Sequence, residues 1–488
     1  MERYNIMTNQ ATNLVILFSD QHSKHMLGCY GNTAVKTPNL DMLASRGVCF
    51  DSAYTNCPVC VPARASMAIG DYGSRHSYWD NAYAYDGKVK SWGGRLTEEG
   101  YSVTTIGKLH FQGSMIETGF PDQRIPLHIK EGIGDVYGEI RDKEITRPQF
   151  AKALEEARAG ESDYTRYDRE VARRAAEFLK NEGSLSKKPF VLMAGFVAPH
   201  FPLVVPQEYV DLYPDPEALP LPVQFEKKDW PHHPVLDDYR RYCCHENLPD
   251  CVKRNAIRVY YALCSFLDEQ VGVVLKALKE AGLENNTRVL YCSDHGDTMG
   301  EHGLFFKSTM YEGSVGIPMI FSGPGIPENT RNDTGVSLVD IYPTVLECMN
   351  IPLNEADKAL PGDSLMSFAA GRKEPERAVY SEYMSFGCYT GEFMLRKGRY
   401  KYVYYTGEKP QLFDLEADPD ECCDLALNSS YTEIVKEMDK KLREVADPEK
   451  TEAAAKRAQK ELLDRFGGKD EFLKNFHPAL FSPIPNLN

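Results

Sequence analysis

The residues best placed to do chemistry form a five-residue run, Cys60-Val61-Pro62-Ala63-Arg64. Pro62 suits the first turn of a helix, and Ala63 to Ile69 continue it with good helix formers. Position 60 then falls at a helix N-terminus, where unpaired backbone N–H groups and the helix dipole favour an anion. Arg64, one turn on, is available to neutralise charge. Such a seat suits attack on an anionic ester, whereas the same cysteine taken alone reads as a buried thiol at the end of a loop. Cys57-Pro58-Val59-Cys60 is a lone Cys-x-x-Cys and is no evidence of redox chemistry by itself.

Further reactive side chains follow short apolar runs. Leu14 to Ser19 ends in Asp20, Val103 to Gly107 leads into Lys108 and His110, Phe190 to Phe196 leads to His200, and Arg288 to Ser293 ends at Asp294-His295. Such runs read as buried parallel strands. The amphipathic stretches Tyr167 to Asn181 and Arg254 to Ala281 read as helices, and Asp41 to Ser45 as the first turns of another, stopped at Gly47. This alternation predicts an α/β fold on a large, mostly parallel sheet, with ligands at the carboxyl ends of its strands.

From about Gly371 the texture changes. Phe393 to Arg396, Tyr400 to Tyr405 and Gln411 to Asp414 are short runs split by turns, followed by a helical stretch from Tyr431 to Arg465. The expected division is a catalytic α/β domain over 1–370 and a smaller α+β subdomain with an antiparallel sheet over 371–488. Pro478, Pro483 and Pro485 predict an extended tail from Phe466 to Asn488, wrapped over a neighbouring surface or joining a homo-oligomer.

Six motifs, in order along the chain, resemble the sulfatase family of the alkaline phosphatase superfamily. They are the opening segment Asn13 to Tyr54, Cys60-x-Pro-x-Arg64, Gly107-Lys108-Leu109-His110, Ser293-Asp294-His295-Gly296 through His302-Gly303 to Lys307, Leu338 to Thr344, and Gln411 to Leu415 with Asp418-Pro419. The resemblance implies an alkaline-phosphatase-like α/β/α sandwich and a sulfuric ester hydrolase. Cys60 is then oxidised to formylglycine by a maturation enzyme, and the hydrate of that aldehyde is the nucleophile.

By the same resemblance Asp20, Asp294, His295 and the oxygen of modified residue 60 hold one divalent metal ion. Gln21 stands where many sulfatases carry Asp and is the remaining candidate ligand. Mostly oxygen donors favour calcium, with magnesium or manganese next, over zinc. Arg64 and Lys108 are expected to hold the nucleophile and the sulfate, and His200 and Lys307 to face the leaving group. His110 is expected to act late as a base, with His302 close enough to support the site. Fixed cations suit charge developing on sulfuryl oxygens, and histidines titrate near working pH.

Local matches run nearest to choline-sulfatase-like members, through Tyr78-Trp79-Asp80-Asn81-Ala82, Asp20-Gln21 and Ser381-Glu382-Tyr383. They imply that Asn81 contacts the sulfate and Glu382 the substrate. A choline head needs an aromatic cage, and no tryptophan lies between Ile125 and Tyr164. A small sulfated alcohol, first a sulfated carbohydrate, is therefore expected before choline sulfate. Phosphonate monoester or phosphodiester hydrolysis and a catalytically silent binding protein are the rival readings.

Composition narrows the partners. A net charge of −15, from 56 basic and 71 acidic residues, argues against nucleic acid and against a polybasic membrane contact, but allows a small anionic substrate. The apolar run Leu14 to Phe18 is too short for a signal peptide or membrane span. Thirteen cysteines, with vicinal pairs Cys243-Cys244 and Cys422-Cys423, do not read as a disulfide framework. Together these predict a cytoplasmic protein.

Overall fold

The computed structural model describes residues 11–475 and 481–487. The central sheet has eight strands in the order Thr330–Asn332, Gly47–Phe50, Met319–Ser322, Thr287–Ser293, Asn13–Asp20, Phe190–Pro199, Ser102–Lys108, Asp122–Leu127. Met319–Ser322 pairs antiparallel with both of its neighbours, and every other pairing is parallel. The fold is the expected α/β architecture on a mostly parallel sheet.

The strand Asn13–Asp20 is buried along its whole length and lies mid-sheet. Its side chains alternate between two cores. Val15 and Leu17 join one, packed with Tyr167, Val171 and Phe266, while Leu14, Ile16 and Phe18 join the other, packed with Ala63, Met67 and Ile341. A strand apolar on both faces is what a sheet covered by helices on both sides demands. The helices Asp163–Asn181 and Asp250–Glu280 cover the first face, and Cys60–Ile69 and Ile341–Cys348 the second. Asp163–Asn181 starts at Ser162, whose hydroxyl accepts from Thr165 N while Thr165 caps Ser162 N in return.

Register brings the strand ends together. Ser19 lies opposite Ser293 and Asp20 opposite Pro199, so the residues after each strand share one edge. Next to that edge Ser102–Lys108 and Phe190–Pro199 approach very closely. A Cβ on Gly107 would meet Gly195 O at 2.2 Å, and one on Gly195 would meet Lys108 O at 2.3 Å. Gly107 also has φ +105°, a left-handed value that glycine adopts without strain.

The smaller sheet is an antiparallel meander of Val379–Tyr383, Glu392–Lys397, Tyr400–Tyr405 and Gln411–Asp414, covered by Thr432–Val445. The helical stretch expected over Tyr431 to Arg465 is two helices. It breaks at Ala446, and Asp447 caps a new helix, Pro448–Arg465, with Pro448 in its first turn. This second helix packs back on the larger part of the chain. Gln459 donates to Asp80 Oδ2 at 2.9 Å, and Arg141 forks onto Glu452 at 2.9 and 3.0 Å.

Two further expectations change. Gly47 begins a strand instead of only ending a helix, because Gly47–Phe50 pairs with the antiparallel Met319–Ser322, a partner distant in sequence. The tail is not extended throughout, since Lys469–Asn475 is a helix that buries Phe472. Residues 481–487, which have no regular structure, lie on their own chain, where Tyr164 Oη donates to Ser482 O at 2.8 Å and Arg174 Nη2 to Leu487 O at 2.8 Å. Pro478 and residues 1–10 fall outside the described residues. Among the described residues no helix is long and apolar enough to cross a membrane.

Candidate active site

Cys60 is the first residue of the wholly buried helix Cys60–Ile69. Its Sγ lies 3.2 Å from His295 Nε2 and 3.5 Å from Asp20 Oδ1, and it accepts from Lys307 Nζ at 3.1 Å. Asp20 closes the strand Asn13–Asp20, and Asp294 and His295 directly follow Thr287–Ser293. One ligand atom from each of Asp20, Cys60, Asp294 and His295 falls within 4.8 Å of the others.

Arg64 clamps the two carboxylates. Its Nε donates to Asp294 Oδ2 at 2.9 Å, Nη2 to Asp20 Oδ2 at 3.0 Å and Nη1 to Lys108 O at 2.9 Å. The guanidinium spans two acids and a carbonyl because its donors fan out in one plane. Lys108 Nζ sits 2.7 Å from Asp20 Oδ2. Asp20, Arg64, Asp294 and His295 are all inaccessible to solvent.

Burial raises the Asp20 carboxyl, but Lys108, His200, Arg64 and Lys307 outweigh it and hold Asp20 well below the usual carboxylate range. For Asp294 burial and the neighbouring Asp20 charge win over Arg64 and push it up to about 7. Two carboxylates crowded on one point are the arrangement a divalent cation relieves. His295 Nδ1 is 3.0 Å from Gly296 O. A proton on Nδ1 donated to that carbonyl leaves the Nε2 lone pair facing Cys60 and Asp20, the tautomer a metal ligand needs. Burial first and Lys307 second lower the His295 pKa, so the ring is neutral. The donor set therefore fits a metal ion. Burial and the Asp20 charge push the Cys60 thiol up to about 11.

A cavity of about 280 Å³ opens above this floor, lined there by Cys60, Asn81, Lys108, His110, His200 and Lys307. His200 Nδ1 bonds Phe201 O at 2.6 Å, and Nε2 lies 3.9 Å from Asp20 Oδ1. Neither ring nitrogen of the buried His110 has a hydrogen-bond partner, and burial followed by Lys108 keeps this ring neutral.

A sequence model described as Sulfatase matches residues 12–351. The chain belongs to the sulfatase family. A second model, described as N-sulphoglucosamine sulphohydrolase, C-terminal, matches residues 300–448. This sulfatase is 32% identical over 437 residues to a choline-sulfatase of Rhizobium meliloti (strain 1021), covering 86% of this chain and 84% of that one. It is 30% identical over 477 residues to arylsulfatase K of Canis lupus familiaris, covering 92% and 85%. Among solved structures, a 2-O GAG sulfatase superposes with a TM-score of 0.70 at 25% identity, covering 89% of this chain and 92% of that one.

The sulfatase fold gathers Asp20, Cys60, Arg64, Asn81, Lys108, His110, His200, Asp294, His295 and Lys307 around one point, keeps Gln21 beside it in a supporting contact, and separates Glu382 and His302 from it. Gln21, at φ +65°, has its amide engaged elsewhere: Oε1 accepts from Lys307 Nζ at 2.8 Å and Nε2 donates to Asp297 Oδ2 at 2.6 Å. It thus steadies Lys307 beside Cys60. Glu382 does not line the cavity. It is buried, accepting from Ser74 N at 2.6 Å and Tyr380 Oη at 2.8 Å, and braces the turn Gly73–His76. His302 is also outside the cavity wall, with Nδ1 2.8 Å from Gln224 Oε1 and its ring against Tyr311.

Sequence reasoning missed Asp297, which accepts from Gln21 and from the backbone N–H groups of Met299 and Phe306. Its only local signal is its place two residues after His295. Also missed was the far wall of the cavity, where Asp135, Arg147, Phe150, Phe386 and Phe481 converge from loops and helix ends with no shared motif.

Proposed function

We propose that this sulfatase hydrolyses the O-sulfate ester of a small polar alcohol, first a sulfated carbohydrate, with formylglycine formed from Cys60 as the reacting residue. The observation that carries this reading is the convergence of Asp20, Asp294, His295, Arg64, Lys108 and Lys307 on residue 60, at a helix N-terminus that opens into a cavity. Asp20, Asp294, His295 and the oxygen of residue 60 would hold the metal, calcium by donor type with manganese or magnesium as alternatives. A bound ion supplies Lewis-acid stabilisation of charge on the sulfuryl oxygens.

The chain's own groups divide the remaining work. Arg64 fixes the two carboxylates, and Lys108 offers its ammonium beside Asp20 to a sulfate oxygen. Lys307 carries N–H donors and, with His200, flanks the side from which the alcohol departs. His110 has both ring nitrogens free of partners and is positioned to take up a proton late in the cycle. The maturation enzyme that oxidises Cys60 is an implied partner. All thirteen cysteines are unpaired thiols, which supports a reducing, cytoplasmic setting.

Choline sulfate is the second reading. The cage that tryptophans do not provide has a counterpart in Phe150, Phe201 and Phe386, on a wall that also carries Asp135, paired there with Arg147 at 2.6 Å. The test is a parallel assay of monosaccharide sulfates, choline sulfate, a phosphonate monoester and a phosphodiester, with intact-peptide mass spectrometry around residue 60. The expected result is aldehyde at residue 60 and fastest turnover of a monosaccharide sulfate. Unmodified Cys60 and no turnover, from a host that converts other sulfatases, would favour the silent binding protein.

A further inference from the structure

Part of the outer wall of the cavity comes from the C-terminal segment, far in sequence from the Cys60 motif. Phe481 and Ser482 line the space above Cys60 and His200. The Phe481 ring meets Phe201 at 5.7 Å and Tyr164 at 6.2 Å between centroids, and Phe201 in turn stacks on His200 at 4.1 Å. The bond from Tyr164 Oη to Ser482 O and that from Arg174 to Leu487 O hold the segment down on either side of Pro483 and Pro485. Phe481 is 43% exposed although it lines the cavity.

That exposure has a geometric cause. Phe481 also bounds two outer clefts of about 410 Å³ each. One runs past Gln149, Glu156 and Arg158, the other past Lys130, Asp163 and Ile484. The ring is thus shared between the catalytic cavity and two largely apolar grooves that carry charged residues among their walls. At about 280 Å³ the cavity lies at the lower edge of the roughly 300–1,000 Å³ typical of ligand pockets. It has room for a sulfate and one sugar-sized ring. The grooves beyond set charged side chains, Glu156 and Arg158 in one and Lys130 and Asp163 in the other, beside apolar surface, a mixture that suits the hydroxyls and the C–H faces of further sugar units, but Phe481 stands between them and the cavity.

We propose that Phe481 is a specificity-determining residue: it ends the alcohol side of the cavity and restricts the enzyme to sulfate esters of a single small unit, excluding oligosaccharides. This rests on the sulfatase reading above. A chain continuing past the sulfated unit meets the edge of the phenyl ring, and removing the ring joins the cavity to both grooves.

The test compares kcat/KM for a monosaccharide sulfate with that for a trisaccharide carrying the same sulfated sugar at its centre, using formylglycine-containing enzyme. Phe481→Ala should raise the trisaccharide-to-monosaccharide ratio about tenfold or more, chiefly through KM, the scale on which pocket contacts discriminate. Phe481→Tyr keeps the ring and should leave the ratio at its wild-type value, which separates blocking by the ring from general loosening of the segment. Thermal melting of both variants checks that they fold. A ratio unchanged by Phe481→Ala, or wild-type enzyme that already accepts the trisaccharide equally, overturns the proposal while leaving the sulfatase reading intact. Wild-type enzyme that is converted at residue 60 but hydrolyses no sulfate ester overturns both.

Discussion

The floor and the far wall of one cavity are built in opposite ways. The floor side chains Asp20, Arg64, Asp294 and His295 are inaccessible to solvent, sit at strand ends or on the first turns of a helix, and hold one another through bonds of 2.9 and 3.0 Å. The wall is carried by loops and chain ends. Ile133 and Phe481, 41% and 43% exposed, belong to segments about 350 residues apart in the chain. Groups on a rigid scaffold can be held to the tolerance that bond-breaking needs, whereas loops vary at little cost to the fold. On the proposed reading the floor carries the reaction, and the wall carries the choice of alcohol.

Substitutions can break that contrast, and the largest effect belongs to the floor. Cys60→Ala removes the proposed precursor of the reacting group, and turnover should fall by at least about 10⁴-fold while far-UV circular dichroism is unchanged. Near-wild-type turnover would refute the assignment. Arg64→Ala strips the shared cation from two buried carboxylates. It should cost about 3–5 kcal/mol in denaturant unfolding, the range for an orphaned buried charge, and unchanged stability would mean that Arg64 does not hold the floor together.

The wall should respond differently. Ile133→Ala trims a half-open apolar contact, so KM for a monosaccharide sulfate should rise about tenfold with a smaller change in kcat, the mark of binding shared by ground and transition states. A fall in kcat larger than the rise in KM would move Ile133 into the machinery of the floor.

An effect on stability alone lies away from both regions. Glu392, in the antiparallel sheet, has its carboxyl pushed up to about 8 by burial, against Cys388 and Arg141. A carboxyl raised in the folded state binds its proton more tightly there than in the unfolded chain. Its stabilising share is therefore complete below the unfolded value of about 4.3 and is lost as pH climbs through about 8. Glu392→Gln removes that loss. Its melting temperature should match wild type at low pH and exceed it increasingly toward pH 8, with kcat/KM unaffected. Parallel melting curves for the two proteins would rule this out.

Much of the floor was legible because buried parallel strands must be apolar, and polar residues that interrupt them stand out. Asp20, Lys108, His200 and Asp294-His295 each follow such a run, and Pro62 marks the helix start beside Cys60. Motif neighbours were less reliable guides. Glu382 and His302 stand near matched segments, but each satisfies its polar atoms inside a different part of the fold, which nothing in their immediate sequence signals. Gln21 occupies a candidate ligand position, yet its amide bridges Lys307 and Asp297, a pairing set by three backbone segments meeting at once.

By itself, then, the sequence determined the strands, the helix that seats Cys60 and the kinds of groups gathered for chemistry, because apolar periodicity and helix-start residues act over a few positions. Register and chain return belong to the tertiary structure. Ser19 opposite Ser293 brings Asp20 to Asp294, and the fold-back of residues 481–487 places Phe481 above His200. Both depend on contacts between segments hundreds of residues apart, where packing and close backbone approach, as at Gly107 and Gly195, decide what no local pattern encodes.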